Sequence, residues 1–158
     1  MHQRRLIPAL QLSFRAALAA GLAYAIALAL RLEFPLYAMI AAVIVTDLAP
    51  DETRRLGGRR LAGTAIGSLL GVALSLLLPG GTLTIAFGIF LSMFLTHLMR
   101  APQAARVSGY LCAIVLLEHA ADPLSYAFWR FLETALGILI AMLVSLVPKL
   151  LGRHNPIH

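Results

Sequence analysis

Three arginines sit where an apolar chain rarely carries charge. Arg15 lies inside the first long hydrophobic stretch, about two turns past Pro8, and Arg60 and Arg130 open two later ones. A cation facing hydrocarbon costs a few kcal/mol even on lenient insertion scales, so such side chains turn toward a polar interior or snorkel to the headgroups. A guanidinium held in a polar interior is a receptor for carboxylates and other anions. Arg60 and Arg130 also fall near predicted helix N-termini, where free N–H groups and the macrodipole favour negative charge. All three are read as anion-pathway residues, one of the latter two near each mouth; for Arg15 the competing reading is snorkelling. Arg54, Arg55, Arg59 and Arg60 serve equally as ordinary topology anchors. Glu133 follows Arg130 by three residues, so the two share a helix face. Either they pair and fix packing, or Arg130 receives an anion while Glu133 exchanges a proton or supplies counter-charge. Asp47 is a second acid candidate for that role, although it, Asp51 and Glu52 are also explained by surface pairing with the adjoining basic run.

Thr64 and Thr134 could offer hydroxyls to a ligand or bond their own helix backbone. Tyr37 and Tyr110 belong either to the pathway or to an interfacial aromatic belt. Gly63, Gly67 and Gly71 recur every four residues and form small-xxx-small steps that let another backbone approach; Gly137 has the same role later in the chain. Cys112 lies in an apolar block and is read as packing. His119 beside Glu118 does not make a metal site, and no cofactor is expected. The chain has no nucleotide-binding glycine loop, no HExxH, and no serine or cysteine nucleophile arrangement, so no catalytic residue is assigned.

The elements that must position these residues are membrane helices. Of 158 residues, 60% are hydrophobic and 13% charged, with a mean hydropathy of +0.86, whereas a soluble domain is about half apolar and about a quarter charged. The net charge of +6 is not a nucleic-acid signature, because the basic residues punctuate apolar runs instead of lining one wet face. The opening basic residues and apolar run resemble a signal peptide, but the run continues to Leu30. Spans are predicted near 8–30, 34–50, 60–79, 82–99, 104–121 and 125–148, separated by Glu33-Phe34-Pro35, the charged run Asp51 to Arg60, Pro79-Gly80-Gly81, Arg100-Ala101-Pro102 and Asp122-Pro123. With both termini cytoplasmic, Arg4, Arg5, Arg54, Arg55, Arg59, Arg60, Arg100, Arg106, Lys149 and Arg153 lie inside, against Arg31 and Arg130 outside. The positive-inside bias fixes that orientation.

A shift of 70 residues lays Arg60, Thr64, Ala65, Gly67, Leu69 and Ser75 onto Arg130, Thr134, Ala135, Gly137, Leu139 and Ser145, six identities in sixteen positions. A shift three residues longer sets Tyr37 on Tyr110 and Pro50 on Pro123. Each half holds three spans, an odd number, so the halves enter the membrane from opposite sides. The fold expected is an all-α integral membrane bundle of six helices as two inverted three-helix repeats, about 8–79 and 82–150, in one transmembrane domain covering 1–158. Inverted repeats recur in transporters, with the substrate site at the repeat interface. The apolar cores of the second and fifth spans, Phe34 to Thr46 and Val107 to Leu117, reach only about 20 and 16 Å against about 30 Å of hydrocarbon, so these helices break or border a wet cavity.

Pro35-Leu-Tyr37-Ala38, the run Arg59-Arg60-Leu-Ala-Gly63-Thr64-Ala-Ile-Gly67-Ser-Leu-Leu-Gly71, and Arg130-x-x-x-Thr134-x-x-Gly137 resemble the fusaric acid resistance and aromatic acid exporter family over most of the chain. The resemblance implies an inner-membrane protein in the efflux of aromatic carboxylates. It also implies kinship with plant malate-type anion channels, which have a similar six-helix bundle and work as dimers. The larger exporters carry two such bundles and a soluble domain, and homodimerisation would restore the missing half here. The expectation is therefore an organic-anion carrier in the inner membrane, in contact with lipid, a small anion and a second copy, and with no nucleic-acid partner. A passive channel and a non-transporting assembly subunit are the alternatives.

Overall fold

The computed structural model describes residues 3–118 and 122–147; His119, Lys149 and Arg153 lie outside them. The described residues form six α-helices, one 3₁₀ turn and no strand: α1 (Gln3–Ala29), α2 (Pro35–Val45), α3 (Pro50–Leu77), α4 (Thr82–Leu98), the turn Pro102–Ala104, α5 (Ala105–Glu118) and α6 (Pro123–Leu146). Three of them are long and apolar enough to cross a membrane, over Leu6–Ala29, Pro50–Leu77 and Pro123–Leu146. Helix α2 has 11 residues and α5 has 14, hence ~16 and ~21 Å of helix, and both stop short of a bilayer's hydrocarbon thickness, as their short apolar cores required.

Proline starts three helices, at Pro35, Pro50 and Pro123, where a missing N–H is no loss and the fixed φ suits the first turn. Pro50 accounts for the largest departure from expectation. The charged run Asp51 to Arg60, expected as a loop before a span at residue 60, is helical from its start, and the second span ends at Val45 instead of residue 50. Asp51 and Glu52 lie in the first turn of α3, where the macrodipole favours them, and Glu52 pairs with Arg55 at 3.0 Å one turn on. Helices α1 and α4 end alike. Arg31 (φ 53°) and Arg100 (φ 60°) take the left-handed position. The next residue's N–H reaches back five positions, Leu32 to the Ala27 carbonyl and Ala101 to that of Thr96. This Schellman closure normally holds glycine.

The third helix of each half is exchanged. Helix α3 packs on α4 and, more extensively, on α5, while α6 packs on α1 and α2; α3 and α6 cross each other between the two groups. Ala19, Ala23 and Ala27 of α1, Ala38 and Ala42 of α2, and Ile138 and Ala141 of α6 form one buried cluster, and Leu74, Cys112 and Leu116 form another between α3 and α5. Small residues permit this, since helices in lipid associate through close backbone packing. A Cβ at Gly67 would strike the Ser108 backbone of α5, and one at Gly137 would strike the Ala38 carbonyl of α2. Adding 70 to the glycine and subtracting 70 from its partner converts the first contact into the second. Gly63 faces the Ala104 carbonyl of the 3₁₀ turn and Val107 of α5, and Gly71 faces Val115 and the Cys112 carbonyl of α5. All four glycines therefore serve packing.

Candidate functional site

The crossing of α3 and α6 gathers the buried polar groups. Arg60 on α3 and Arg130 on α6 are 4% and 3% exposed, and Glu133, one turn past Arg130, is fully buried. Arg130 does not pair with Glu133. Its guanidinium carbon lies 3.3 Å from the centre of the Tyr37 ring of α2, a cation–π contact that strengthens where water is excluded. Tyr37 itself belongs to an aromatic box with Phe34 and Tyr126, ring centres 5.5 to 6.4 Å apart. Glu133 Oε1 accepts the Phe34 N–H at 2.6 Å, just ahead of α2, where free helix N–H groups draw a carboxylate. Arg60 lies within electrostatic range of both Tyr110 of α5 and Arg130. Each arginine thus lies near a tyrosine of the other three-helix segment, and the two are within electrostatic range of each other.

Several polar atoms in this cluster are buried without a hydrogen-bond partner: Nε of Arg60, Nε and Nη1 of Arg130, and Oε2 of Glu133. Such groups are expensive to bury unless something meets them. Among the described residues the one ion pair is Arg55 with Glu52 on the surface, so neither buried guanidinium is neutralised by an adjoining carboxylate. The arrangement can hold an anion. Thr64 and Thr134 are buried beside it, but the Thr64 hydroxyl donates to the Arg60 carbonyl of its own helix at 2.9 Å.

The remaining candidates lie elsewhere. Arg15 is buried and donates to the Leu48 carbonyl at 2.9 Å and the Val147 carbonyl at 3.4 Å. It clamps the chain just past α2 and the end of α6, where a cation meets the negative end of each helix. Substituting Arg15→Met should lower the stability of the detergent-solubilised protein by about 1.5–3 kcal/mol; a melting point unchanged from wild type would mean that the clamp contributes nothing. Asp47 accepts the Ala49 N–H, and its own N–H donates to the Thr53 hydroxyl, so its side chain builds the turn into α3. Cys112 is buried between α3 and α5. No group of three His, Cys, Asp or Glu among the described residues could hold a metal.

Sequence reading did not find the Tyr126–Phe34 box, although Tyr126 lies one turn before Arg130, a spacing that signals a shared helix face. It also missed the exposed small-residue stripe of α1, formed by Ser13, Ala17, Gly21, Ala25 and Ala29 at intervals of four.

No curated protein and no solved structure matches the chain. A family model described as fusaric acid resistance protein-like matches residues 22–144.

Proposed function

We propose, because the chain belongs to the fusaric acid resistance protein-like family, a family of membrane transporters, that it carries organic anions, aromatic or other carboxylates, out across the inner membrane through the α3–α6 cluster. The observation behind this reading is the pair Arg60 and Arg130: two guanidinium groups buried in one membrane-protein interior, within range of each other, with nitrogens left unpartnered. Like charges within electrostatic range of each other in a buried site repel, and an anion between them relieves that repulsion.

Six spans with both ends cytoplasmic, arranged as inverted repeats, form the scaffold of this proposal. It is supported by the equivalence of the Gly67–Ser108 and Gly137–Ala38 contacts and by the matching Arg31 and Arg100 closures. A pathway at such a repeat interface lies near the membrane midplane. The functional unit is a homodimer, joined through the exposed small-residue stripe of α1. A Cβ at Gly21 meets nothing within the protomer, so Gly21→Leu should not lower the monomer's stability and should shift crosslinked dimer to monomer in detergent and in liposomes. Unchanged dimer would remove α1 from the interface.

The deciding experiment is transport of labelled aromatic and dicarboxylic acids in liposomes holding only this protein, with and without an imposed pH gradient. Movement that follows the proton gradient identifies coupled export. A current that ignores pH and reverses at the anion's Nernst potential identifies a channel. No movement across the panel would overturn the anion reading and favour an assembly subunit.

A further inference from the structure

Among the described residues the buried ionisable acids reduce to Glu133, and its surroundings are unequal. One oxygen is held by the Phe34 amide, and the other is buried with no partner. Arg130 stands on the same helix within electrostatic range, Glu33 lies in that range from the link before α2, and Arg60 of α3 is in range of Arg130; Tyr37 and Tyr126 adjoin Arg130, Tyr110 adjoins Arg60, and Glu118 is in range of Tyr126. Glu33 is exposed and therefore largely screened by water. The buried charge is thus that of Arg60, Arg130 and Glu133.

Counting it gives two positive charges and one negative, a sum of +1 when Glu133 is ionised and +2 when it is protonated. An anion carboxylate reaching Arg130 Nη1 comes close to Glu133, since residues three apart on a helix are neighbours. A monoanion brings the ionised cluster to zero, whereas a dianion takes it to −1, and a proton on Glu133 restores neutrality in the buried site. The equivalent position in the first half is Gly63, which carries no acid, so the feature belongs to one half only.

We propose that Glu133 sets the valence of the transported anion: the ionised cluster takes a monoanion without a proton, and the cluster with Glu133 protonated takes a dianion, which then moves together with one proton. This rests on the anion-transport reading above and goes beyond it by assigning a selectivity rule to one side chain. Proton uptake accompanies dianion binding, so dianion flux rises as pH falls, while monoanion flux stays level.

Benzoate and isophthalate test it in liposomes between about pH 6 and 8, where both probes are fully ionised, with an internal pH dye counting protons moved. Wild-type protein should move about one proton with each isophthalate and none with benzoate, and isophthalate flux should rise on the order of tenfold across that range. Glu133→Gln keeps an oxygen for the Phe34 N–H and fixes the cluster at +2. It should abolish proton movement with isophthalate and flatten its pH dependence. Equal proton counts for both probes in the wild type, or an unchanged isophthalate pH profile in Glu133→Gln, overturns the proposal while leaving anion transport standing. If neither probe nor any acid of the wider panel moves, the transport reading itself fails.

Discussion

Replacing Arg130 with alanine is expected to reduce anion flux by two orders of magnitude or more in protein that still folds. Arg130 carries a charge in a buried site, with two nitrogens unpartnered and its guanidinium carbon 3.3 Å from the centre of the Tyr37 ring. Truncating one member of a buried, hydrogen-bonded charge pair costs about 2–5 kcal/mol of binding, and a tenfold loss corresponds to about 1.4 kcal/mol. Arg130→Lys separates charge from shape. Lysine restores the positive charge but neither the planar stacking on Tyr37 nor the forked donor geometry, so flux should recover only in part. The companion change Arg60→Ala should act in the same direction, because Arg60 lies within electrostatic range of Arg130 and Tyr110. Proteoliposome flux normalised to folded protein decides the matter. Rates within twofold of wild type for both alanine variants would take the α3–α6 crossing off the anion's route.

Gly67→Ala and Gly137→Ala carry the second large effect, on stability. At each site the added methyl would overlap a backbone atom of the facing short helix, Ser108 or Ala38. Backbone cannot swing away as a side chain can, so the helices must separate. Overpacking of this kind costs about 1–3 kcal/mol per site, and the two sites, on opposite lobes with different partners, should combine additively. Gly58 supplies the control within α3: nothing lies within 4 Å of a Cβ there, and alanine should raise stability by about 0.5–1 kcal/mol through helix propensity. Detergent-solubilised protein unfolded by heat or denaturant reads all three. Should Gly67→Ala melt with Gly58→Ala, the close α3–α5 contact does not exist. A strong loss at Gly67 with none at Gly137 would break the equivalence of the halves.

Composition, hydrophobic block length and arginine placement were enough to declare a membrane bundle, because the energy of hydrating or burying each side chain is a property of the residue itself. The same holds for the glycine ladder of α3 and for the intramembrane arginines: a missing side chain or a charge in an apolar run needs an explanation whatever the fold. Identities at a spacing of 70 also pointed to two related halves, and the paired glycine contacts obey that spacing. Local signals misjudged one boundary, since Asp51 to Arg60 looked like a polar loop while Pro50 and two first-turn acids started a helix there.

What the chain could not announce was which helix each residue would meet. The packing of α6 on α2 and of α3 on α5 put Tyr37 under Arg130 and Tyr110 within electrostatic range of Arg60, and it brought the two arginines within that range of each other. Glu133 found the Phe34 amide instead of its helix neighbour, and Arg15 found two carbonyls at helix ends. Partners of this kind are separated by 33 to 132 residues. Their choice depends on the relative free energies of competing helix packings, a property of the assembled bundle and of no single segment.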